Sequence, residues 1–219
     1  MTKKELLQNI GGISKTSKMP CGSWSLSARW CKVGSKLNLV KGSACFDCYA
    51  LGGYYIMYEK TILKAYERNL KAFNSDIESF TTSFIEYLER FEKSGFFRWF
   101  DSGDLQSTSM LEDIIIIAIR TPSIKHWIAT REYNIVSTLK KEGAWIPNNL
   151  VIRLSHDHVD ELDADSIPYY VNQSTVISDK STKLTPKQFT CPSSLQDGQC
   201  LDCRACWNSR VKNVAYIEH

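Results

Sequence analysis

The sequence predicts an α/β fold with a mostly parallel sheet, and three observations favour it. Between residues 51 and 185, strand-like apolar runs alternate with segments of helical periodicity, which parallel strands need as crossovers. Successive strands end in polar residues, as they do where a parallel sheet carries a site. Cysteine-rich segments flank this core on both sides. We therefore expect one domain over 1–219, with a basic, cysteine-containing N-terminal segment (1–50), an α/β core (51–185) and a C-terminal cysteine cluster loop with the last strand (186–219).

The elements of the core follow in order from their periodicity and end signals. Residues 54–73 and 76–91 carry apolar residues at helical spacing, with Ser75 or Asp76 as the cap of the second helix and Gly95 just beyond its end. Next come the strand FFRWFDSGD, a helix over 109–120, the strand IKHWIATRE, the helix YNIVSTLKKEG and the strand NLVIRLSHD. An acidic loop, DHVDELDADS, and two short strand candidates, STVISD and NVAYIEH, complete the prediction.

The amino-acid composition restricts the class of protein and the cellular compartment that we expect. A hydrophobic fraction of 43% and a charged fraction of 23% are ordinary for a globular protein and exclude wholesale disorder. No apolar run approaches the length of about 20 residues that spans a bilayer, so we expect no membrane partner. The start, MTKKELLQNIGG, lacks the apolar core of a secretory signal, which favours the cytoplasm.

Eight cysteines are anomalous in a reduced compartment and indicate metal or cluster ligands. The C-terminal group consists of Cys191, Cys200, Cys203 and Cys206. Its C-x2-C-x2-C run places three thiolates within seven residues, as in the loops that wrap an iron–sulfur cube. Structural zinc more often takes two ligands from each of two knuckles. We therefore expect a four-iron (4Fe-4S) cluster, with zinc as the alternative.

The N-terminal cysteine group is looser. Cys45 and Cys48 form a C-x2-C hook, and Cys31 lies fourteen residues upstream of Cys45 as the third ligand. The hook is predicted to open the helix that follows, where free N–H groups stabilise thiolates. Cys21 has no close partner in the sequence, so its role stays open.

The same segment is basic. Residues 6–46 contain no acidic residue and six basic ones: Lys15, Lys18, Arg29, Lys32, Lys36 and Lys41. Such a run is often a solvated face, but it also balances the charge of a cluster, a nucleotide or a phosphate backbone. Nucleic acid is therefore a candidate partner.

Polar residues recur at the carboxyl ends of three predicted strands, where the loops of a parallel fold converge. They are Asp101, Ser102, Gly103 and Asp104; then Thr130, Arg131 and Glu132; then Ser155, His156 and Asp157. Three such strands in a row predict a shared rim, on which the cysteine hook also lies. His126 is inside an apolar strand and is predicted to be a core residue. The motifs of phosphate-loop NTPases, serine hydrolases and zinc proteases are absent.

These residues together resemble a known family. The likeness to the phage- and plasmid-borne gene product 88 family runs from about Lys18 to the last strand. It is carried by KMPCGSWSLSARWCKVGSKL, GSACFDCYALGGYY, FRWFDSGDLQS, HWIATRE and TCPSSLQDGQCLDCRACW. The hook and the strand endings SGDL and ATRE also resemble, more locally, a phage-associated group related to radical S-adenosylmethionine (radical SAM) enzymes.

The second resemblance implies a fold and a chemistry. The fold is a partial (β/α) barrel of about six mostly parallel strands, with cysteine-rich loops at both ends. Cys31, Cys45 and Cys48 hold a 4Fe-4S cluster that binds S-adenosylmethionine, and the C-terminal cysteines hold an auxiliary cluster. Asp104, Arg131 and Glu132 are the implied catalytic residues. The residues implied to line the cofactor site come from the ends of three predicted strands: Asp101, Ser102 and Gly103 from the first, Thr130 from the second, and Ser155 and His156 from the third.

The sequence departs from the radical SAM pattern in three places. The cysteine spacing is C-x13-C-x2-C instead of C-x3-C-x2-C, Asp47 replaces an aromatic residue, and no Gly-Gly-Glu follows the second strand. One alternative is a non-enzymatic nucleic-acid-binding or host-interaction protein with structural iron–sulfur or zinc sites; another is a zinc-dependent nucleic-acid-processing protein. The acidic rim weighs against a simple binding module, because carboxylates repel phosphate unless they bind a metal or a ligand.

Overall fold

The computed structural model describes residues 1–162, 172–179, 182, 184 and 188–218. The helices within these residues are α1 (Lys3–Asn9), α2 (Gly34–Leu37), α3 (Gly53–Met57), α4 (Glu59–Ser75), α5 (Ile77–Phe91), α6 (Thr108–Arg120) and α7 (Tyr133–Lys141). The strands are β1 (Ser23–Trp24), β2 (Phe96–Trp99), β3 (Lys125–Thr130), β4 (Leu150–Val159), β5 (Gln173–Ile177), β6 (Gln188–Thr190) and β7 (Asn213–Ile217). Single 3-10 turns lie at Ala28–Trp30, Tyr49–Leu51, Pro192–Leu195 and Ala205–Trp207.

The strands form one parallel sheet in the order β1-β2-β3-β4-β5-β7-β6. The predicted α/β class is therefore confirmed. Strands β1 and β6 were not predicted, because two or three residues are too few to show a period of two. Sequential strands are neighbours from β1 to β5, and the helices between them pack on one face of the sheet, which is the arrangement of a (β/α) barrel wall.

The helix-facing side of the sheet is an aromatic core. Trp24, Phe84, Phe97 and Trp99 are fully buried there, and the rings of Phe84 and Trp99 stack at 4.8 Å. Burying rings of this size supplies much of the apolar area that stabilises the fold. The core also fixes the ends of the strands whose loops follow at the rim.

His126 lies in that core, as predicted. The indole N–H of Trp99 donates to Nδ1 of His126 at 3.2 Å, and Nε2 lies 2.8 Å from the hydroxyl of Thr121. The Thr121 hydroxyl itself donates to the carbonyl of Ile117. Burial lowers the pKa of His126 to about 3, so the ring is a neutral, fully hydrogen-bonded residue of the core.

The opposite face of the sheet is covered by the C-terminal segment. Trp207 packs edge-on against Trp127 and Phe96, and its indole N–H donates to the carbonyl of Phe97 at 2.8 Å. The fully buried guanidinium of Arg153 donates to five backbone carbonyls at 2.9–3.1 Å. The accepting residues are Gln173, Ala205, Cys206, Asn208 and Val211. One arginine thus anchors the end of the cysteine-rich segment to the sheet.

Two predicted elements differ from the structure. The helix predicted over 54–73 is interrupted at Tyr58, whose backbone leaves helical geometry, so α3 and α4 are separate helices. Strand β4 continues into the predicted acidic loop as far as Val159, because the N-terminal segment pairs with it through Ser43 and His158. Residues 163–166 of that loop lie outside the described residues. Among the described helices, none is long and apolar enough to cross a membrane.

Candidate functional site

Asp104 is the centre of the rim formed by the loops after β2 and β3. Its Oδ1 accepts a hydrogen bond from the Thr130 hydroxyl at 2.5 Å and another from the backbone N–H of Leu105 at 2.8 Å. Its Oδ2 accepts from the backbone N–H of Arg131 at 2.9 Å. The structure thus brings together the ends of β2 and β3, as the sequence predicts.

Burial dominates the electrostatics of Asp104 and raises its pKa to about 6. The hydrogen bonds from Arg131 and Thr130 oppose that rise, whereas the nearby Glu132 carboxylate adds to it. A carboxyl with such a pKa exchanges a proton near neutral pH, which general acid–base chemistry requires.

Glu132 joins the rim to the N-terminal segment. Its Oε1 accepts from the backbone N–H of Val33 at 3.0 Å, and its own N–H donates to the Thr130 hydroxyl at 3.0 Å. Val33 is two residues beyond Cys31. The carboxylate therefore holds the first cysteine of the N-terminal group over the end of β3.

The N-terminal cysteines border one recess. A Cβ built on Gly34 would lie 3.6 Å from Sγ of Cys45 and 3.7 Å from Sγ of Cys31. Burial raises the pKa of the Cys31 thiol, and the charges of Asp104 and Cys48 add to the rise. We call the space bounded by Cys31, Cys45 and Gly34 the Gly34 recess. All three N-terminal cysteines and the central carboxylate of the rim therefore share one neighbourhood.

The prediction that the cysteine hook opens the next helix is wrong in detail. Cys48 precedes only the single turn Tyr49–Leu51, and α3 begins at Gly53. Gly52, in extended backbone, separates the two. The helix start beside the Cys31 and Cys45 thiols is that of the four-residue helix α2, at Gly34, and burial and the rim carboxylates raise the pKa of Cys31.

Asp101 is fixed by residues that the sequence did not single out. Its Oδ1 accepts from the hydroxyls of Ser23, at 3.2 Å, and Ser25. The Tyr49 hydroxyl, next to the hook, donates to its carbonyl. Ser23 lies in β1 and Ser25 follows it, so the missed first strand supplies these partners. Their only sequence signal is alternation in SWSLS, which is too short to read with confidence.

Gly103 is held against the N-terminal segment. Its φ of +81° lies in the left-handed region, and a Cβ there would meet the carbonyl oxygen of Leu26 at 2.6 Å. The N–H of Leu26 donates to the carbonyl of Ser102 at 3.1 Å. Ser102 and Gly103 thus place their backbone, rather than a projecting side chain, at the rim.

Arg131 spans from the end of β3 to the end of β4. Its Nε donates to the carbonyl of His156 at 3.1 Å and lies 4.0 Å from the carboxylate of Asp157. The side chain of His156 points elsewhere, since its Nε2 is 3.0 Å from Oε1 of Gln173 on β5. The Ser155 hydroxyl is likewise buried against another strand. The structure therefore brings Arg131 and Asp157 to the rim and leaves the side chains of Ser155 and His156 within the sheet.

Arg98 and three tyrosines extend the site, and the sequence analysis missed them. The guanidinium of Arg98 lies 4.7 Å from the ring centroid of Trp127, its Nε donates to the carbonyl of Phe100, and it hydrogen-bonds the Tyr49 hydroxyl. Burial raises the pKa of Tyr55 and of Tyr66, and Asp101 adds to both rises. Tyr49 and Tyr55 lie in CYALGGYY, which was the available sequence signal.

The C-terminal cysteines form a second group on the other face of the sheet. Cys206 is buried among Trp127, Trp207 and Val214, and Cys191 and Cys203 pack against this apolar cluster. Cys206 therefore fills part of an apolar cluster, because its segment folds onto the sheet. Burial raises the pKa of Cys206 to about 12, and the hydrogen bond from the Tyr216 hydroxyl opposes the rise.

The cysteine, histidine and carboxylate side chains can be compared with the arrangement that a single metal ion requires of its ligands. In the part of the chain that the structure describes, no three His, Cys, Asp or Glu side chains are arranged to hold a single metal ion. The thiols nonetheless occur as two groups, each confined to one neighbourhood. At the Gly34 recess, the sulfurs of Cys31 and Cys45 both approach the position that a Cβ on Gly34 would take.

Three cations of the basic stretch have neighbours in different parts of the molecule. Lys18 lies beside Gly198 in the C-terminal segment, whereas Arg29 pairs with Glu59 and Lys32 donates to the carbonyl of Gln106 at the rim. Binding of nucleic acid by this stretch stays a prediction.

Comparison with known proteins gives one match. The family model described as gene product 88 matches residues 2–209, which is nearly the whole chain. No curated protein and no solved structure matches the chain. The first of the two resemblances in the sequence is thereby confirmed. Nothing in these comparisons bears on the second, which stays a prediction.

Proposed function

Since the chain belongs to the gene product 88 family, we propose a function from its own site: it is an iron–sulfur enzyme of the radical SAM type with a second, auxiliary cluster. A single observation carries the proposal. Cys31 and Cys45 border one recess at the carboxyl ends of a parallel sheet, beside the buried carboxyl of Asp104. Open parallel α/β folds bind their ligands at that end.

The type of donor is what supports a cluster in this proposal. Thiolates are the usual ligands of iron–sulfur clusters, and a four-iron cluster takes each thiolate on a different iron. Cys31, Cys45 and Cys48 would hold such a cluster with three thiolates and leave one iron open to S-adenosylmethionine. When reduced, the bound group would supply the electron for cleavage of S-adenosylmethionine into methionine and a 5′-deoxyadenosyl radical.

The rim residues supply binding and proton chemistry. Asp104 is buried and has a pKa of about 6, so its carboxyl holds or gives a proton near neutral pH. Arg131 presents a guanidinium between two loops and suits a carboxylate or phosphate group of a bound molecule. Glu132 positions Cys31 through Val33.

The test is cleavage of S-adenosylmethionine. Anaerobically purified protein, reduced with dithionite, is expected to release methionine and 5′-deoxyadenosine. The Cys45→Ala variant should lose this activity, whereas Gly52→Ala should keep it, since a Cβ there would make only an ordinary contact, 4.0 Å from the Tyr49 carbonyl. If the loaded, reduced protein neither binds nor cleaves the compound, the enzyme proposal fails and the clusters are structural or carry electrons.

One observation favours the alternative of a nucleic-acid-binding protein. A groove of about 830 Å³ runs between α1, α4 and the start of α5, and four cations line it: Lys3, Lys4, Arg68 and Lys71. Only one carboxylate, that of Asp76, lines it too. A binding module predicts salt-dependent affinity for DNA or RNA that falls on the double substitution Arg68→Glu and Lys71→Glu. Affinity that is unchanged by these substitutions would remove the alternative.

A further inference from the structure

Cys21, which the sequence leaves without a partner, lies in the C-terminal cysteine group. The backbone N–H of Cys200 donates to the carbonyl of Lys18 at 2.8 Å. A Cβ on Gly198 would lie 3.1 Å from the ammonium nitrogen of Lys18. The loop that leads to Cys21 therefore runs directly along the loop that leads to Cys200, although about 180 residues separate them in sequence.

The surroundings of the Cys21 thiol are shared with the other cysteines. Cys21 is 5% exposed and belongs to the same buried apolar cluster as Cys206, against which Cys191 and Cys203 pack. Burial is the main cause that raises the pKa of Cys21 to about 12, and the Cys200 thiol contributes to the rise. Five thiols, rather than four, thus share this part of the molecule.

A four-iron cluster with full cysteine ligation uses four thiolates, so one of the five is not a ligand. Cys206 differs from the rest. Its Sγ lies 3.1 Å from the Tyr216 hydroxyl on β7, and its backbone carbonyl is held by Arg153. Hydrogen bonds to the sheet thus fix both ends of this residue. Cys200 and Cys203 lie in turns and irregular chain, and no hydrogen bond to their thiols is seen among the described residues.

We propose that Cys21, Cys191, Cys200 and Cys203 are the four ligands of the C-terminal metal centre and that Cys206 is its hydrogen-bonded neighbour. The centre takes an iron–sulfur cluster, an identity that rests on the proposed function. The N-terminal segment then supplies a ligand to each end of the protein: Cys21 to the C-terminal centre, and Cys31, Cys45 and Cys48 to the rim. Metal binding would tie the first and last segments of the chain together.

The test uses the full chain and four proteins: wild type, Cys21→Ala, Cys206→Ala and Cys203→Ala. Iron, sulfide and zinc per chain are measured after anaerobic purification, together with the electron paramagnetic resonance spectrum after reduction. We expect Cys21→Ala and Cys203→Ala to lose one centre, about four irons, and Cys206→Ala to keep it. Retention of all iron in Cys21→Ala, or loss of the centre in Cys206→Ala, overturns the assignment.

Two further readouts keep the assignment separate from folding and from the proposed function. If Cys21→Ala does not fold, Cys21→Ser is used, because a serine oxygen can still ligate iron. Altered g values with retained iron support ligation by residue 21, and unaltered g values refute it. If the wild type contains zinc and no iron, the iron–sulfur proposal fails, but loss of one zinc from Cys21→Ala still supports Cys21 as a ligand. A wild type without metal overturns both proposals.

Discussion

Gly34→Ala tests whether the Gly34 recess holds a metal group. The added Cβ would lie 3.0 Å from the Cys31 Cβ, tighter than most real contacts, and within 3.7 Å of the sulfurs of Cys31 and Cys45. Gly34 begins the short helix α2. Its replacement by alanine favours the helix by up to about 1 kcal/mol. Crowding in a packed region costs about 1–3 kcal/mol.

These two effects partly cancel in the metal-free protein. We therefore expect the free energy of unfolding of metal-free Gly34→Ala to fall by no more than about 2 kcal/mol. In the loaded protein the methyl group competes for the space beside both thiols. Altering residues around metal ligands weakens binding about 10–100-fold, and the N-terminal cluster should show a loss of this size.

The assay has two parts. Urea denaturation of the metal-free proteins gives the stability change, and anaerobic titration with iron and sulfide gives the loading. Gly52→Ala is the matched control, because Gly52 follows Cys48 by four residues and its Cβ would contact only the Tyr49 carbonyl, at 4.0 Å. If Gly34→Ala loads as tightly as the control and gives the wild-type spectrum, no group occupies the recess and the reasoning is refuted.

Three other predictions follow from the fold and the rim. Gly103→Ala should lower the free energy of unfolding by more than about 3 kcal/mol, because the new Cβ combines left-handed backbone strain with a clash at Leu26. Urea denaturation measures this loss, and an unfolding curve like that of the wild type would contradict the rim geometry. Arg153→Met should destabilise the protein by about 3–5 kcal/mol, because five buried carbonyls lose their donor. The variant should also bind less metal at the C-terminal centre. Unchanged metal content and wild-type stability would show that Arg153 does not anchor the C-terminal segment. The folded pKa of Asp104, about 6, is above its ordinary value of 3.8, so its contribution to stability is full below about pH 3.8 and is lost as pH rises through about 6. The stability of the metal-free wild type relative to Asp104→Asn should therefore fall by about 3 kcal/mol between about pH 4 and about pH 7, and parallel pH profiles of the two proteins would show that the carboxyl is not buried as described.

The strands and helices with strong periodicity could be predicted from the sequence. The alternation of apolar strands with helices sets a parallel sheet, and polar residues such as Asp104 and Arg131 mark its carboxyl end. The position of His126 also follows from its apolar neighbours. These features depend on local patterns, which a single sequence displays directly.

The parts of the fold and site that the sequence did not predict depend on contacts between segments that are distant in the chain. The role of Arg153 could not be predicted, because its five acceptors are carbonyls that any residue type supplies. The partnership of Cys21 with the C-terminal cysteines needs the hydrogen bond between Cys200 and Lys18, which no local pattern reveals. Strand β1 is too short to show alternation, so the serines that hold Asp101 were missed with it.

The central claim is that the cysteines of this chain hold iron and sulfide. The measurement that tests it most directly is the iron, sulfide and zinc content of protein purified without oxygen. Two four-iron clusters should give a brown preparation with about eight irons and a matching amount of sulfide per chain. A colourless preparation that contains one or two zinc ions and no iron would contradict it.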